Sequence, residues 1–177
     1  YFEVFGGNVL NVTIDKFVYS TLIPLDGEEI VFCSFDLNTK IKFNLNDEIL
    51  IEGNLKLHKA VYCYMINNFN QKKRIPLSIS TFCEAPLGSG LGSSSTLVVS
   101  LIKVMADFLS LNLDKEALAF HAFIIEREFC GLAGGKQDHY AAVFGGINFM
   151  EFNCKNRVKI NKLAVNNSVI SQLESSL

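Results

Sequence analysis

Apolar and polar residues alternate over several short runs of the chain, a pattern typical of β-strands with one buried face. Four of these runs lie before residue 50 and a fifth follows later: Asn8–Ile14, Phe17–Ile23, Glu29–Phe35, Lys40–Leu45 and Ile75–Phe82. Near the end of the chain, Ile147–Phe152 has the same alternation, and we expect it to pair with Arg157–Ile160. The pattern therefore predicts seven strands.

Between and after these runs, apolar residues recur every three or four positions, which indicates amphipathic helices. The predicted helices are Leu55–Phe69, Leu97–Leu109, one that begins after Asp114 and stops at Gly131, Gln137–Val143, and one that starts near Val169. Asp114 is a favourable N-cap. In the helix after it, we expect one buried face made of Leu118, Ala122, Ile125 and Phe129. Strands and helices together predict an α+β fold, and no change in composition marks a linker.

Composition excludes several classes of protein. The 177 residues are 49% hydrophobic and carry a formal net charge of −2, so nucleic acid is not expected as the main partner. The five cysteines form no C-x-x-C pair, which favours reduced thiols over disulfides or zinc. Lys103 and Asp107 interrupt the longest apolar run, so we expect no membrane-spanning segment and a cytoplasmic protein.

The segment Glu84–Thr96 combines three glycines with five hydroxyl residues, between a predicted strand and a predicted helix. Glycine allows a ligand to approach the backbone closely, and the start of a helix offers free N–H groups and the positive end of the helix dipole. Together these features predict an anion site, most plausibly for phosphate. The alternative is a tight turn followed by a serine-rich N-cap.

Three known glycine motifs do not match this loop. No lysine follows Gly92, as a Walker A loop requires; the third glycine is one position too early for a dinucleotide loop; and Gly90 stands where a nucleophile elbow has serine. The remaining pattern, P-x-G-x-G-L-G-S-S-S, closely resembles the ATP-binding motif of the GHMP kinases. That resemblance implies ATP contacts from Pro86, Gly88, Ser89, Gly90, Leu91, Gly92, Ser93, Ser94 and Ser95.

A second constellation agrees with this resemblance. Glu126 precedes Asp138 by twelve positions across a glycine-rich stretch, which is similar to galactokinase-like members of the family. The resemblance implies that Glu126 and Ser94 bind Mg²⁺ and that Asp138 is the catalytic base. Glu128 is the alternative metal ligand, and either carboxylate taken alone would pass for an ordinary helix charge.

The candidate substrate contacts are less well defined. Asp15 and Gly135 are weak candidates for contacts with a sugar phosphate. Lys136 either touches a substrate phosphate or is simply solvated.

Within the GHMP kinases, three segments (Gly6–Lys16, Ala85–Val99 and Gly134–Phe152) look like the heptose kinases. This resemblance implies ATP-dependent phosphorylation of the anomeric hydroxyl of D-glycero-D-manno-heptose 7-phosphate. It also implies the family's N-terminal domain over residues 1–165, a ribosomal-protein-like fold whose mixed sheet has a left-handed β-α-β connection. We expect the family's first strand and its C-terminal ferredoxin-like domain to be absent, with residues 166–177 beginning a truncated region.

Other functions stay open from the sequence alone. One is another GHMP small-molecule kinase, similar to galactokinase or fucokinase. Another is an inactive ATP-binding fragment. A homodimer is possible, and no membrane partner is expected.

Overall fold

The chain forms two β-sheets and a set of helices, and the computed structural model describes residues 6–86, 88–153 and 157–176. The strands are β1 (Gly7–Val12), β2 (Val18–Pro24), β3 (Glu29–Ser34), β4 (Thr39–Asn44), β5 (Leu77–Cys83), β6 (Ile147–Phe152) and β7 (Val158–Lys162). The helices are α1 (Lys56–Phe69), α2 (Ser93–Phe108), α3 (Lys115–Phe123), a π-helical segment (Ile124–Phe129) that continues α3, α4 (Gln137–Phe144) and α5 (Asn167–Glu174). The predicted α+β fold class is confirmed.

The larger of two compact units spans residues 15–143 and contains a four-stranded sheet in the order β2-β5-β3-β4. Strands β3 and β5 run parallel, whereas the other two pairs are antiparallel. A parallel pair needs a crossover connection, and here α1 lies in that connection. The mixed character of the sheet is thus confirmed. The left-handed β-α-β connection and the domain boundary at residue 165 stay predictions.

The hydrophobic core of this unit lies between the sheet and the helices α1 and α2. Apolar positions on one face of each element supply it, and its fully buried side chains include Phe32, Ile79, Met65, Leu101 and Ile102. On α2, Val98, Leu101, Ile102 and Met105 are among the buried residues. Burial of side chains of this size contributes roughly 1.5–3 kcal/mol each relative to exposure, so this core fixes where the two helices begin.

The smaller unit contains the described residues up to Ile14 and those from Phe144 onward. Its sheet has the order β1-β6-β7 and both strand pairs are antiparallel. Met150 and Phe152 are buried apolar side chains of this sheet, and Asn148 is a buried polar one. The predicted pairing between the β6 run and the segment that follows it is therefore confirmed.

Helix α3 begins as predicted but does not continue as an α-helix. Asp114 caps it, because its Oδ1 accepts a hydrogen bond of 2.7 Å from the backbone N–H of Ala117. At the far end, the N–H of Cys130 bonds to the carbonyl of Ile125 five positions earlier (2.9 Å), which is the wider π-type turn. Consequently Cys130 is buried and Phe129 is 41% exposed, so the prediction that Phe129 shares the buried face was wrong.

Two expectations about composition can be compared with the structure. Cys33, Cys63, Cys83 and Cys130 are free thiols, whereas Cys154 lies outside the described residues. None of the helices in the described part of the chain is long and apolar enough to cross a bilayer.

A buried histidine joins α1 to the sheet. His58 Nε2 lies 2.9 Å from Thr81 Oγ1, and that hydroxyl donates to the Cys33 carbonyl (3.4 Å). Since a threonine hydroxyl has one hydrogen, His58 Nε2 is the donor and Nδ1 carries no hydrogen. Nδ1 is buried and has no partner among the described residues. Burial therefore lowers the pKa of His58 to about 4, against a weaker raising effect of Asp36.

We predict that this histidine makes the protein less stable in mild acid. The pKa of His58 is lower in the folded than in the unfolded chain. Its contribution to the free energy of unfolding is therefore fully present above about pH 6.5 and is lost as the pH falls towards 4. His58→Gln keeps a donor but cannot titrate. Its free energy of unfolding, from urea denaturation between pH 7 and 4.5, should fall less steeply than that of the wild type, by up to about 1.4 kcal/mol per pH unit. Equal slopes for both proteins would contradict the assignment.

Candidate active site

The glycine-rich loop ends directly at the first turn of α2. Gly88, Gly90 and Gly92 have φ values of 72°, 74° and 71°, a left-handed conformation in which side chains other than glycine are strained. Gly92 is the N-cap of α2 and supplies no side-chain acceptor. The helix begins at Ser93, four residues earlier than the predicted start at Leu97.

The start of α2 has no serine N-cap. A serine-rich N-cap would place a serine hydroxyl on the first N–H groups of α2, but none of the serines occupies the N-cap position. That alternative was wrong. The first-turn N–H groups are left without a cap from the N-cap side chain, which is the arrangement that binds anions at helix starts. Leu87, within the loop, lies outside the described residues.

Two of the serines are hydrogen-bonded to a carboxylate on the π-helical segment. Ser95 Oγ donates to Oε2 of Glu126 at 2.7 Å, and Ser94 Oγ donates to Oε1 of the same residue in a short hydrogen bond. Glu126 is 1% exposed, so it is no surface helix charge. Glu128, the alternative metal ligand, is exposed. The structure therefore brings Glu126, and not Glu128, to the start of α2.

His139 on α4 completes the surroundings of this carboxylate. Its Nε2 lies 2.6 Å from Glu126 Oε2, and the ring is fully buried. Neither ring nitrogen has a hydrogen-bond partner of ordinary geometry in the described part of the chain. Burial raises the pKa of Glu126, but His139, Ser94 and Ser95 outweigh it and lower the pKa to about 2. Glu126 is thus a buried carboxylate that is ionised at neutral pH.

Asp138, the predicted base, also lies at the start of α2. It occupies the first turn of α4, and its Cβ and Cγ approach the backbone of Gly92 so closely that a β-carbon there would lie 3.4 Å from both. Two carboxylates from different helices thus meet the same turn of α2. This convergence is what the spacing of Glu126 and Asp138 in the sequence implies under the resemblance stated above.

The second glycine-rich loop, residues 131–135, is packed against Arg127. The guanidinium Nη1 donates to the carbonyl of Ala133 at 2.7 Å and lies 3.6 Å from Glu126 Oε1. Gly134 has a φ of 144°, and a β-carbon at this position would lie 2.6 Å from the guanidinium. Glycine is required here because Arg127 occupies the space that a side chain would need.

Comparison with known proteins agrees with this geometry. The model of the GHMP kinases N terminal domain matches residues 56–146, just over half of the chain. The chain belongs to the GHMP kinase family. The matched range contains the glycine-rich loop, Glu126 and Asp138.

Two of the relatives are sugar kinases by name. The chain is 41% identical over 175 residues to a D-glycero-alpha-D-manno-heptose 7-phosphate kinase of Campylobacter jejuni, covering 99% of the chain and 51% of that protein. It is 27% identical over 162 residues to a galactokinase of Lactobacillus helveticus, covering 89% of the chain and 42% of that protein. The chain thus spans about half the length of these curated relatives.

A solved structure shows the same fold. The crystal structure of a D-glycero-D-manno-heptose 1-phosphate kinase from Bacteroides thetaiotaomicron superposes with a TM-score of 0.90 at 36% identity, covering 99% of the chain and 57% of that protein. The Campylobacter protein is named for a heptose 7-phosphate, whereas the Bacteroides protein is named for a heptose 1-phosphate.

The predicted substrate contacts of this GHMP kinase chain have different environments. Lys136 is only 4% exposed, and its Nζ lies 4.7 Å from the ring centroid of Phe123. The interpretation of Lys136 as a solvated side chain was therefore wrong. Gly135 and Asp15 are exposed. A contact of Asp15, Gly135 or Lys136 with substrate stays a prediction.

The donor set around Glu126 fits Mg²⁺. An ionised carboxylate and the Ser94 hydroxyl are hard oxygen ligands of the kind this ion prefers. In the described ranges no cluster of three or more His, Cys, Asp or Glu side chains could hold a metal ion. A site with a single carboxylate suits Mg²⁺ that is shared with substrate phosphates, since this ion is commonly bound by one or two carboxylates together with phosphate oxygens.

The residue that sequence reasoning missed is His139. In the sequence it has no second histidine or cysteine at metal-ligand spacing. The sequence does place His139 directly after Asp138 in a short predicted helix. Successive side chains of a helix differ in direction by about 100°, so when Asp138 faces a ligand, His139 can face the core.

We predict that Gly134→Ala destabilises the protein more than Gly131→Ala. Both glycines have positive φ, so both alanines add backbone strain, roughly 1–2 kcal/mol in the left-handed region of Gly131 (67°) and at least as much at Gly134 (144°), a region essentially confined to glycine. Only the alanine at 134 also meets the Arg127 guanidinium, whereas a β-carbon at 131 meets nothing within 4 Å. Overpacking of this kind should add about 1–3 kcal/mol to the loss in free energy of unfolding, measured by urea denaturation. Equal losses for the two variants would show that Arg127 does not hold this loop.

Proposed function

We propose that the full-length protein is an ATP-dependent sugar kinase that phosphorylates the anomeric hydroxyl of D-glycero-D-manno-heptose 7-phosphate. The family assignment supports a small-molecule kinase. The 41% identical relative from Campylobacter jejuni, named for this substrate class, supports the sugar.

One observation carries the proposal: Glu126 and Asp138 converge on the first turn of α2, behind the glycine-rich loop. Glu126 is bonded to Ser94 and Ser95, and Asp138 lies against Gly92. Phosphoryl transfer depends mainly on positioning and on neutralising charge around the transferred group. A phosphate held by the loop would have both carboxylates beside it.

The reaction then assigns a task to each group. The N–H groups at the start of α2 and the loop backbone from Gly88 to Ser95 bind the phosphates of ATP. The anomeric oxygen of the sugar forms a bond to the γ-phosphorus while the bond from that phosphorus to the β,γ-bridging oxygen breaks, and ADP leaves. Asp138 orients the attacking hydroxyl and accepts its proton.

Ser94 and Glu126 are the residues that would hold Mg²⁺ in this proposal. When bound, that ion supplies charge neutralisation on the β- and γ-phosphoryl oxygens. The low pKa of Glu126 keeps its carboxylate ionised across the neutral range, so a proton does not compete with the metal there. The Ser94 hydroxyl, exposed and already bonded to Glu126 Oε1, is the other oxygen within reach.

We predict that Asp138→Asn abolishes most turnover and leaves nucleotide binding intact. Asparagine keeps the shape of the side chain but cannot accept the proton, so kcat should fall by roughly 10²–10⁴-fold. The Kd for ATP, measured by calorimetry, should stay close to that of the wild type. Asp107→Asn, an exposed aspartate on α2 that pairs with Lys103, is the matched control and should keep wild-type turnover. Wild-type turnover in Asp138→Asn would refute its role as base.

A substrate panel decides the sugar. We expect heptose 7-phosphate to give the highest kcat/KM, ahead of heptose 1-phosphate, galactose, fucose and homoserine. Galactose is the second candidate, because the chain also matches a galactokinase over 89% of its length. Preference for galactose would replace the proposed substrate, and Mg²⁺-dependent ATP binding without turnover of any sugar would indicate an inactive nucleotide-binding protein.

A further inference from the structure

The two oxygens of the Glu126 carboxylate have different surroundings. Oε2 is the inner oxygen: the buried Ser95 hydroxyl donates to it at 2.7 Å, and Nε2 of the fully buried His139 lies 2.6 Å away. Oε1 faces the exposed Ser94 and lies 3.6 Å from Arg127 Nη1. Oε1 is therefore the oxygen on the side of the exposed Ser94.

An aromatic ring also packs against the imidazole of His139. The Phe123 ring meets it edge-on, with a centroid separation of 5.9 Å and an interplanar angle of 86°. Lys136 Nζ lies over the same Phe123 ring. A ring that is fully buried and packed in this way has little freedom to turn, so it determines how closely Glu126 can approach α4.

Asp138 and His139 are consecutive residues in the first turn of α4, and they contact different parts of the site. Asp138 lies against Gly92 of the loop, whereas His139 lies against Glu126 of the π-helical segment. The base and the carboxylate are therefore linked through one turn of helix. A shift of His139 would move both.

We infer that His139 is a positioning residue: it fixes the inner oxygen of Glu126, leaves Oε1 and Ser94 to the metal ion, and sets the place of Asp138 relative to that ion. A carboxylate oxygen can only accept, so His139 Nε2 carries the hydrogen. Such outer partners of a ligand typically change metal affinity by about 10–100-fold when they are replaced. The inference rests on the proposed function, because that proposal assigns the metal to Glu126.

The test uses three variants of the full-length protein that differ in where a donor can reach. His139→Gln places an amide N–H near the position of Nε2, His139→Asn has a side chain one carbon too short, and His139→Met fills similar space without a donor. Mn²⁺ is titrated with the non-hydrolysable ATP analogue AMPPNP present, and free Mn²⁺ is followed by electron paramagnetic resonance. Binding of AMPPNP without metal and thermal unfolding are measured for each variant.

We expect His139→Asn and His139→Met to weaken Mn²⁺ binding by about 10–100-fold and His139→Gln to restore it to nearly the wild-type value. Binding of AMPPNP without metal should be the same in all four proteins, a result that a general loss of structure would not give. Equal Mn²⁺ affinity in all variants would overturn the inference and leave the kinase proposal standing.

Two further outcomes also decide it. If Asn and Met both unfold while Gln folds, His139 serves the core and not the metal, and the inference is overturned. If the wild type binds no Mn²⁺ with AMPPNP, the metal assignment of the proposed function fails and this inference fails with it.

Discussion

The buried carboxylate of Glu126 is the interaction on which the site depends. Removing a charge from water costs several kcal/mol even after relaxation, so Glu126 would not stay ionised at 1% exposure without donors. Ser94 and Ser95 supply hydrogen bonds, and the imidazole of His139 lies against the carboxylate at 2.6 Å. These contacts come from the starts of α2 and α4, and they therefore hold the end of the glycine-rich loop and the turn carrying Asp138 around one charge.

The π-helical segment explains how Glu126 reaches this position. In an α-helix each N–H bonds to the carbonyl four residues earlier, whereas the N–H of Cys130 bonds to the carbonyl of Ile125, five residues earlier. The wider turn leaves both Ile125 and Glu126 buried, turns Phe129 outward and lets Arg127 pack against the second glycine-rich loop. Single π-turns within helices are frequently found at functional sites, and here Glu126 lies within one.

The sequence predicts the parts of this structure that depend on local patterns. Alternation and helical spacing locate the strands and helices, Asp114 is recognisable as a cap, and the glycine-rich loop is recognisable as an anion site. The burial of Lys136 over Phe123 and the role of His139 depend on contacts between segments, and spacing along the chain does not encode those. The π-turn was missed for a related reason, since its apolar residues still match an α-helical period as far as Phe129.

The central claim is that Glu126 Oε1 and Ser94 Oγ, at the first turn of α2, are the metal ligands. Crystals of the full-length protein grown with AMPPNP and Mn²⁺, measured at a wavelength where manganese scatters anomalously, test it most directly. The account predicts one anomalous peak within about 2.0–2.3 Å of both oxygens, the range of hard-cation ligation. A peak beside Glu128, or one that Glu126 does not contact while AMPPNP is bound, would contradict it.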